Sequence, residues 1–322
     1  MSCTTSIDVL ITERCNGNCS HCINKDFRSN AELTINNFSA LCDLLPSYGY
    51  SQIRLMGGEP TIHKDFKSIV EKAQFAFPKV IVLTNAINEG ILDFKPRVDD
   101  AVVYNYFTFH NRLNYKKLLL DYPGKRYVSV VFTKDTDTKK LIQRLDDLCS
   151  IPDSKNRLIF NFTIDLTEDV FSSGTKIQEK MIQFYNACND RHIETSYKSS
   201  NEIIALYPKC FLDRVELGCI GAAPDKICSR STPGFIDARL NWRFCHAFPV
   251  KVSPVFLNGI AVHNDDLHRI VNDCLQDRLE LTSCRCKSCA SYKTKCDGSC
   301  FALTKLPTYD KLYNEREHNN EI

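Results

Sequence analysis

The chain has 322 residues, 43% hydrophobic and 25% charged, the balance of a globular protein with one large domain or one large and one small. A formal net charge of +2 offers no field to draw in nucleic acid or an anionic membrane, and no apolar run is long enough to span a bilayer. Its start, MSCTTSIDVLITERC, has no basic stretch followed by an apolar one; it does not read as a secretory signal, and the cytoplasm is the expected location. Seventeen cysteines in a cytosolic chain point to metal or redox chemistry rather than disulfides, and an odd count forbids complete pairing.

The first predicted element is a strand, SIDVLIT (6–12), whose alternation puts Ile7, Val9 and Ile11 on one face. The loop after it, ERCNGNCSHC (13–22), holds Cys15, Cys19 and Cys22 spaced C-x3-C-x2-C. Thr34 is placed to cap a helix with Ile35, Phe38, Leu41, Cys42 and Leu45 on one stripe, ending near Pro46. SQIRLMGG reads as a second strand that runs into MGGEP (56–60), and KDFKSIVEKAQFAF as a helix stopped by Pro78. Strands KVIVLTN, AVVYNYF and RYVSVVF follow, then helix DTKKLIQRLDDLC, strand RLIFNFTI and helix GTKIQEKMIQFYNACN. Such alternation favours parallel strands with crossover helices. About six strand–helix units fall short of a closed barrel, so the expected architecture is α/β, a partial (β/α)6 TIM-like barrel over residues 1–205.

From about 206 to 305 helical periodicity fades and cysteines crowd together: Cys210, Cys219, Cys228, Cys245, Cys284, Cys286, Cys289, Cys296 and Cys300. This reads as a small cysteine-rich domain stapled by metal rather than by a large apolar core. Within it FIDARLNWRFC reads as a hairpin with Trp242 in its packing, and FLNGIAVHNDDLHRIVND as a turn leading into a short helix. Residues 306–322 form a polar tail.

In a parallel α/β barrel the loop after a strand lies on the face where chemistry happens. Zinc wants four closed ligands, and His21 is the one nearby candidate for a fourth, in a very tight loop. Inert buried thiols do not suit an Asn/Gly/Ser loop. A 4Fe–4S cluster held by three cysteines has a fourth iron left open, for a ligand that a substrate can supply.

Here the sequence resembles the radical S-adenosylmethionine (radical SAM) enzymes, which carry C-x3-C-x2-C after the first strand. The resemblance implies that Cys15, Cys19 and Cys22 hold a 4Fe–4S cluster whose open iron is chelated by S-adenosyl-L-methionine. It implies reductive cleavage to a 5′-deoxyadenosyl radical, which abstracts hydrogen from a substrate. Gly57, Gly58, Glu59 and Pro60 match the family's methionine-binding motif, with Glu59 accepting from the ammonium group; the two glycines would let the backbone approach a ligand closely. His21 occupies the family's aromatic position near the adenine. Thr84 and Asn85 match a strand end often written TNG, with Ala86 in place of the glycine.

The second cysteine group resembles the SPASM domain, which holds two auxiliary 4Fe–4S clusters, and its smaller relative, the twitch domain, which holds one. By that resemblance one auxiliary cluster uses Cys219, Cys228, Cys245 and Cys300. The second uses Cys286, Cys289 and Cys296, completed by Cys284 or a non-cysteine group. The twitch alternative is a single cluster on Cys228, Cys245, Cys286 and Cys289, and the spacing alone also suits a zinc ribbon. The sequence departs from the pattern in one longer gap, in Leu240 where glycine is expected, and in having no cysteine after Cys300. Cys3, Cys42, Cys149 and Cys188 fall in strand or helix patterns and read as core. Cys274 is unassigned, and Cys210, in YPKC, is a candidate hydrogen-atom donor to a substrate radical.

The resemblance implies a radical SAM oxidoreductase that matures a ribosomally synthesised precursor peptide by cross-linking or epimerisation, with flavodoxin or ferredoxin as electron donor. Since the first strand starts near residue 5, no leader-gripping module is expected; a separate protein or the barrel itself would bind the peptide. The alternatives are a small-molecule substrate such as an aminocyclitol and, in a different class, a zinc-stabilised binding module without catalysis.

Overall fold

In a computed structural model of the chain the described residues are 5–19, 22, 28–87, 89–105, 126–151, 158–164, 170–195, 234–244, 246 and 251–280. The six expected strands are all present: β1 (Thr5–Thr12), β2 (Tyr50–Gly57), β3 (Lys79–Thr84), β4 (Ala101–Tyr104), β5 (Arg126–Phe132) and β6 (Leu158–Ile164). A short β7 (Glu194–Thr195) adds a seventh. They lie side by side in chain order and are parallel throughout. Among the described residues the sheet has two free ends, so its hydrogen bonds do not close a barrel.

The helices form where periodicity and caps predict them. Helix α1 (Ile35–Leu44) starts at Thr34, whose side chain accepts from the Asn37 N–H, and Pro46 sits in the 3-10 turn that follows. Helix α2 (Phe66–Ala76) stops one residue before Phe77-Pro78, because proline disfavours a helical residue ahead of it. Helix α3 (Thr138–Cys149) is capped by Asp137, which accepts from the Lys140 N–H. Helix α4 (Val170–Asp190) begins before the glycine expected to open it.

Ile7, Val9 and Ile11 of β1, Ile53 and Leu55 of β2, and Val80 and Val82 of β3 share one face. They pack on Phe38, Leu41 and Cys42 of α1 and on Phe66, Ile69, Val70 and Ala73 of α2. Cys42 and Cys188 are buried, as expected of core thiols. Burial pushes both thiols up to about 12, which keeps them protonated and inert.

On the other side of β1 the predicted hairpin joins the same sheet. Strand β8 (Phe235–Ile236) pairs parallel with Asp8 and Val9; β9 (Asn241–Arg243) and β10 (Lys251–Pro254) continue antiparallel. Trp242 is fully buried between the rings of Tyr48 and Tyr50, with centroids 6.5 and 6.4 Å away. A small ribbon, β11 (Phe256–Leu257) and β12 (Ile260–Ala261), turns at Asn258-Gly259 and leads into α5 (Asn264–Glu280), longer than expected. No described helix is long and apolar enough to cross a membrane.

Candidate radical SAM site

The site lies at the C-terminal ends of β1, β2 and β3. The β1–β2 register slips between Leu10 and Thr12, bringing Thr12 opposite Gly57. From there the strands are stitched by Gly58 N–H donating to the Thr12 carbonyl (2.9 Å) and Glu59 N–H donating to the Arg14 carbonyl (2.8 Å). This is why the motif needs two glycines. A Cβ on Gly57 would collide with the Thr12 carbonyl oxygen. One on Gly58 would collide with the Arg14 carbonyl and stand 2.8 Å from Cys15 Cβ. The close approach expected toward a ligand is thus made toward the chain's own cysteine loop.

Glu59 is buried and accepts four hydrogen bonds. Its Oε1 takes the Thr61 N–H (3.1 Å), the Thr61 hydroxyl (2.6 Å) and the Thr84 hydroxyl (2.7 Å), and its Oε2 takes the Asn85 N–H (2.7 Å). Burial pushes its acidity toward neutral, with the Thr61, Asn85 and Thr84 bonds pulling partly back. Pro60 opens the 3-10 turn Pro60–Ile62 that Glu59 caps. Asn85 carries the connection onward: its side chain donates to Asn16 Oδ1 at 2.8 Å and lies 3.9 Å from Cys15 Sγ, which also accepts the Gly17 N–H at 3.3 Å. So Glu59, Thr84 and Asn85, distant in sequence, meet behind Cys15. Ala86, where a glycine was expected, has φ +54°, the left-handed backbone that glycine adopts freely.

Cys15, Cys19 and Cys22 are free thiols, each half-buried in one loop. Burial, and then the charge of Cys22 and Cys15, pushes the Cys19 thiol up to about 11. Cys15 is also raised, chiefly by burial. Neighbouring thiols whose charges oppose ionisation at Cys19 and Cys15 favour a cation that neutralises them when they ionise. The three donors are of the type a thiolate-bound metal cluster uses, although among the described residues no three or more His, Cys, Asp or Glu side chains are drawn together as a metal-holding group.

A second layer holds this loop, and sequence reasoning missed it. Glu13, almost fully buried, accepts from the Ser29 hydroxyl (2.5 Å) and from Arg239 Nη2 (3.2 Å), in the β8–β9 turn. Lower on β1, buried Asp8 is gripped by both Nε and Nη2 of Arg54 and lies 3.0 Å from His246 Nε2. Partners 226 and 238 residues away leave no local pattern to read. Leu240, the other position where glycine was expected, has φ +59°. His21 and Cys3, and Cys210, Cys219, Cys228, Cys245, Cys284, Cys286, Cys289, Cys296 and Cys300, lie outside the described residues.

Fold and site together define a parallel α/β protein with a three-thiolate loop at the C-terminal edge of its sheet. Residues 9–131, from β1 into β5, match the family model of the radical SAM superfamily. The match spans 123 of the 322 residues, a likeness to that superfamily over β1 to β5.

Two solved structures share the fold along most of the chain. Streptococcus suis SuiB bound to S-adenosylmethionine matches with TM-score 0.61 and 16% identity, covering 94% of this chain and 74% of that one. The protein anSMEcpe with bound AdoMet and the Kp18Cys peptide matches with TM-score 0.57 and 13% identity, covering 96% and 95%. The expected α/β partial-barrel fold is thus shared with these two solved structures. By sequence, a probable GTP 3′,8-cyclase of Methanothermobacter thermautotrophicus is 37% identical over 82 residues, 25% of this chain and 27% of that protein. The GTP 3′,8-cyclase of Haemophilus influenzae is 38% identical over 65 residues, 19% of each chain. The chain thus spans about a quarter or less of the length of these curated relatives.

Proposed function

We propose that the protein is a radical SAM enzyme that modifies a peptide. The observation that carries the radical chemistry is the stitching of Gly58 and Glu59 onto the cysteine loop, with Thr84 and Asn85 behind it. Cys15, Cys19 and Cys22 would hold the cluster, and Gly57, Gly58, Glu59 and Pro60 would form the edge that receives the methionine moiety. When bound, the cluster and S-adenosylmethionine supply a one-electron reductive cleavage whose product abstracts hydrogen. Among the described residues Glu59 Oε2 has one donor, and a carboxylate oxygen has room for a second, which would be the ammonium group. Asn85 and the Gly17 N–H donate toward Cys15 Sγ and fix its direction. His21 keeps its proposed place beside the adenine.

The peptide reading is supported by fold: SuiB is also known bound to its precursor peptide SuiA, matching here with TM-score 0.59. One or two auxiliary 4Fe–4S clusters on the C-terminal cysteines, a flavodoxin- or ferredoxin-type donor and a hydrogen-atom donor role for Cys210 complete the proposal. A small-molecule substrate is the second reading, favoured by the sequence match to GTP 3′,8-cyclases.

The test is anaerobic purification and reconstitution, iron and sulfide counts, and 5′-deoxyadenosine formation with reductant. About twelve irons per chain would mean three clusters and about eight the twitch-like arrangement. Stoichiometric zinc with no cleavage would sink the radical reading. Cleavage stimulated by GTP and by no peptide would move the substrate to the second.

A further inference from the structure

Arg28 lies just past the cysteine loop and has no role in the arrangement described so far. Its Nη1 donates to Oδ1 of Asn18, between Cys15 and Cys19, at 3.3 Å. Its Nε and Nη2 are shielded from water and have no hydrogen-bond partner among the described residues that meets ordinary geometry. Leaving guanidinium donors buried and unpaired is costly, which makes them candidates for an acceptor that arrives with a ligand. The charges around it agree. Burial works against the Arg28 cation, but the Cys22 side chain beside it, and then the charges that Cys22, Cys15 and Cys19 carry when ionised, outweigh it, which puts all three sulfurs within its electrostatic reach. A 4Fe–4S core carried on three thiolates is itself an anion, and one-electron reduction makes it more so.

We propose that Arg28 is the counter-cation of the cysteine loop, its Nε and Nη2 being the donors reserved for the anionic metal–thiolate group on Cys15, Cys19 and Cys22, whose reduced state it stabilises. The inference rests on the radical SAM reading of those cysteines. Arg28 acts through the cluster's charge and is a positioning residue. Guanidinium suits the task because it stays charged under all conditions and presents several donors in one plane.

The experiment uses the full chain, reconstituted without oxygen, as wild type, Arg28→Gln, Arg28→Lys and a Cys15→Ala/Cys19→Ala/Cys22→Ala variant. The triple variant defines which part of the iron count and of the reduced-cluster EPR signal belongs to this loop. The signal is followed in a redox titration without S-adenosylmethionine. Arg28→Gln should lower the reduced-to-oxidised ratio at fixed potential roughly tenfold, 59 mV for a one-electron couple, with Arg28→Lys in between. Loss of the signal in Arg28→Gln but not in Arg28→Lys also supports the proposal, since charge then retains the anion. Unchanged potentials in both variants overturn it, and weaker S-adenosylmethionine binding alongside would reassign Arg28 to the methionine carboxylate. Loss of the signal in both variants overturns it too, in favour of a structural role through Asn18. A wild type with no signal that the triple variant removes would instead refute the radical SAM reading itself.

Discussion

Gly58→Ala tests the stitching between β2 and the cysteine loop. The new Cβ would meet the Arg14 carbonyl oxygen, stand 2.6 Å from its carbon and lie 2.8 Å from Cys15 Cβ. The Arg14 oxygen is the nearest atom to that Cβ, and reaching ordinary contact with it at 3.4 Å requires the two segments to part by about 1.2 Å. The bonds from Gly58 and Glu59, now 2.9 and 2.8 Å, would then stretch beyond useful length. Overpacking costs about 1–3 kcal/mol and each of the two weakened backbone bonds about 1 kcal/mol, so about 3–5 kcal/mol is expected. At about 2 °C per kcal/mol for a chain of this size, the melting temperature of the apoprotein should fall by about 6–10 °C. Cys15 moves with the loop, so iron bound by the loop should fall as well. Gly49→Ala is the control. Gly49 has φ +85° and nothing within 4 Å of a new Cβ, so its cost of about 1 kcal/mol is backbone strain far from the cysteines. A Gly58→Ala protein that melts within about 1 °C of wild type, or that loses no more iron than Gly49→Ala, would refute the close-approach argument.

Four further outcomes are expected. Asp8→Asn leaves Arg54 without its buried partner and should destabilise by about 3 kcal/mol in chemical denaturation. Burial raises the Asp8 pKa, but His246 and Arg54 outweigh it and hold the carboxyl below its ordinary 3.8. The stability Asp8 gives is therefore complete above that value and lost as pH falls through the lower folded-state value, so a stability–pH curve should lose this acid limb in the variant. Trp242→Ala should cost about 3–5 kcal/mol by removing a fully buried ring from between two tyrosines, and a loss under about 1 kcal/mol would contradict that packing. Ala86→Gly should be neutral to stabilising by about 1 kcal/mol, because glycine relieves the left-handed backbone; a clear loss in denaturant titration would show no strain there. Cys42→Ala and Cys188→Ala should keep the iron content of wild type, whereas Cys15→Ala should lose the iron of its loop.

The strands and helices were legible because their apolar periods are local: Ile7, Val9 and Ile11 read as one face and pack as one. The motifs were legible for the same reason, since Cys15, Cys19 and Cys22 lie in one loop and Gly57 to Pro60 in one turn. Two departures from the family pattern turn out to be conservative in geometry. Ala86 and Leu240 replace glycines yet keep positive φ. What stayed hidden was every contact made through space by charge. Glu13 with Arg239, Asp8 with His246, and Arg28 beside the thiols have no spacing rule, because a charged pair needs only proximity in the fold.

The pairing of β8 with β1 has a consequence for how the chain comes into being. During synthesis β1 and the cysteine loop emerge well before the β8–β9 hairpin, so Glu13 waits for Arg239 and Asp8 for His246, 226 and 238 residues later. Contacts of such long span form late and slow the search for the native state. A nascent chain therefore exposes three thiols on a half-anchored loop before its last supports arrive. The order of events favours insertion of metal after the C-terminal hairpin has docked, and oxidation of the thiols is the hazard of the interval.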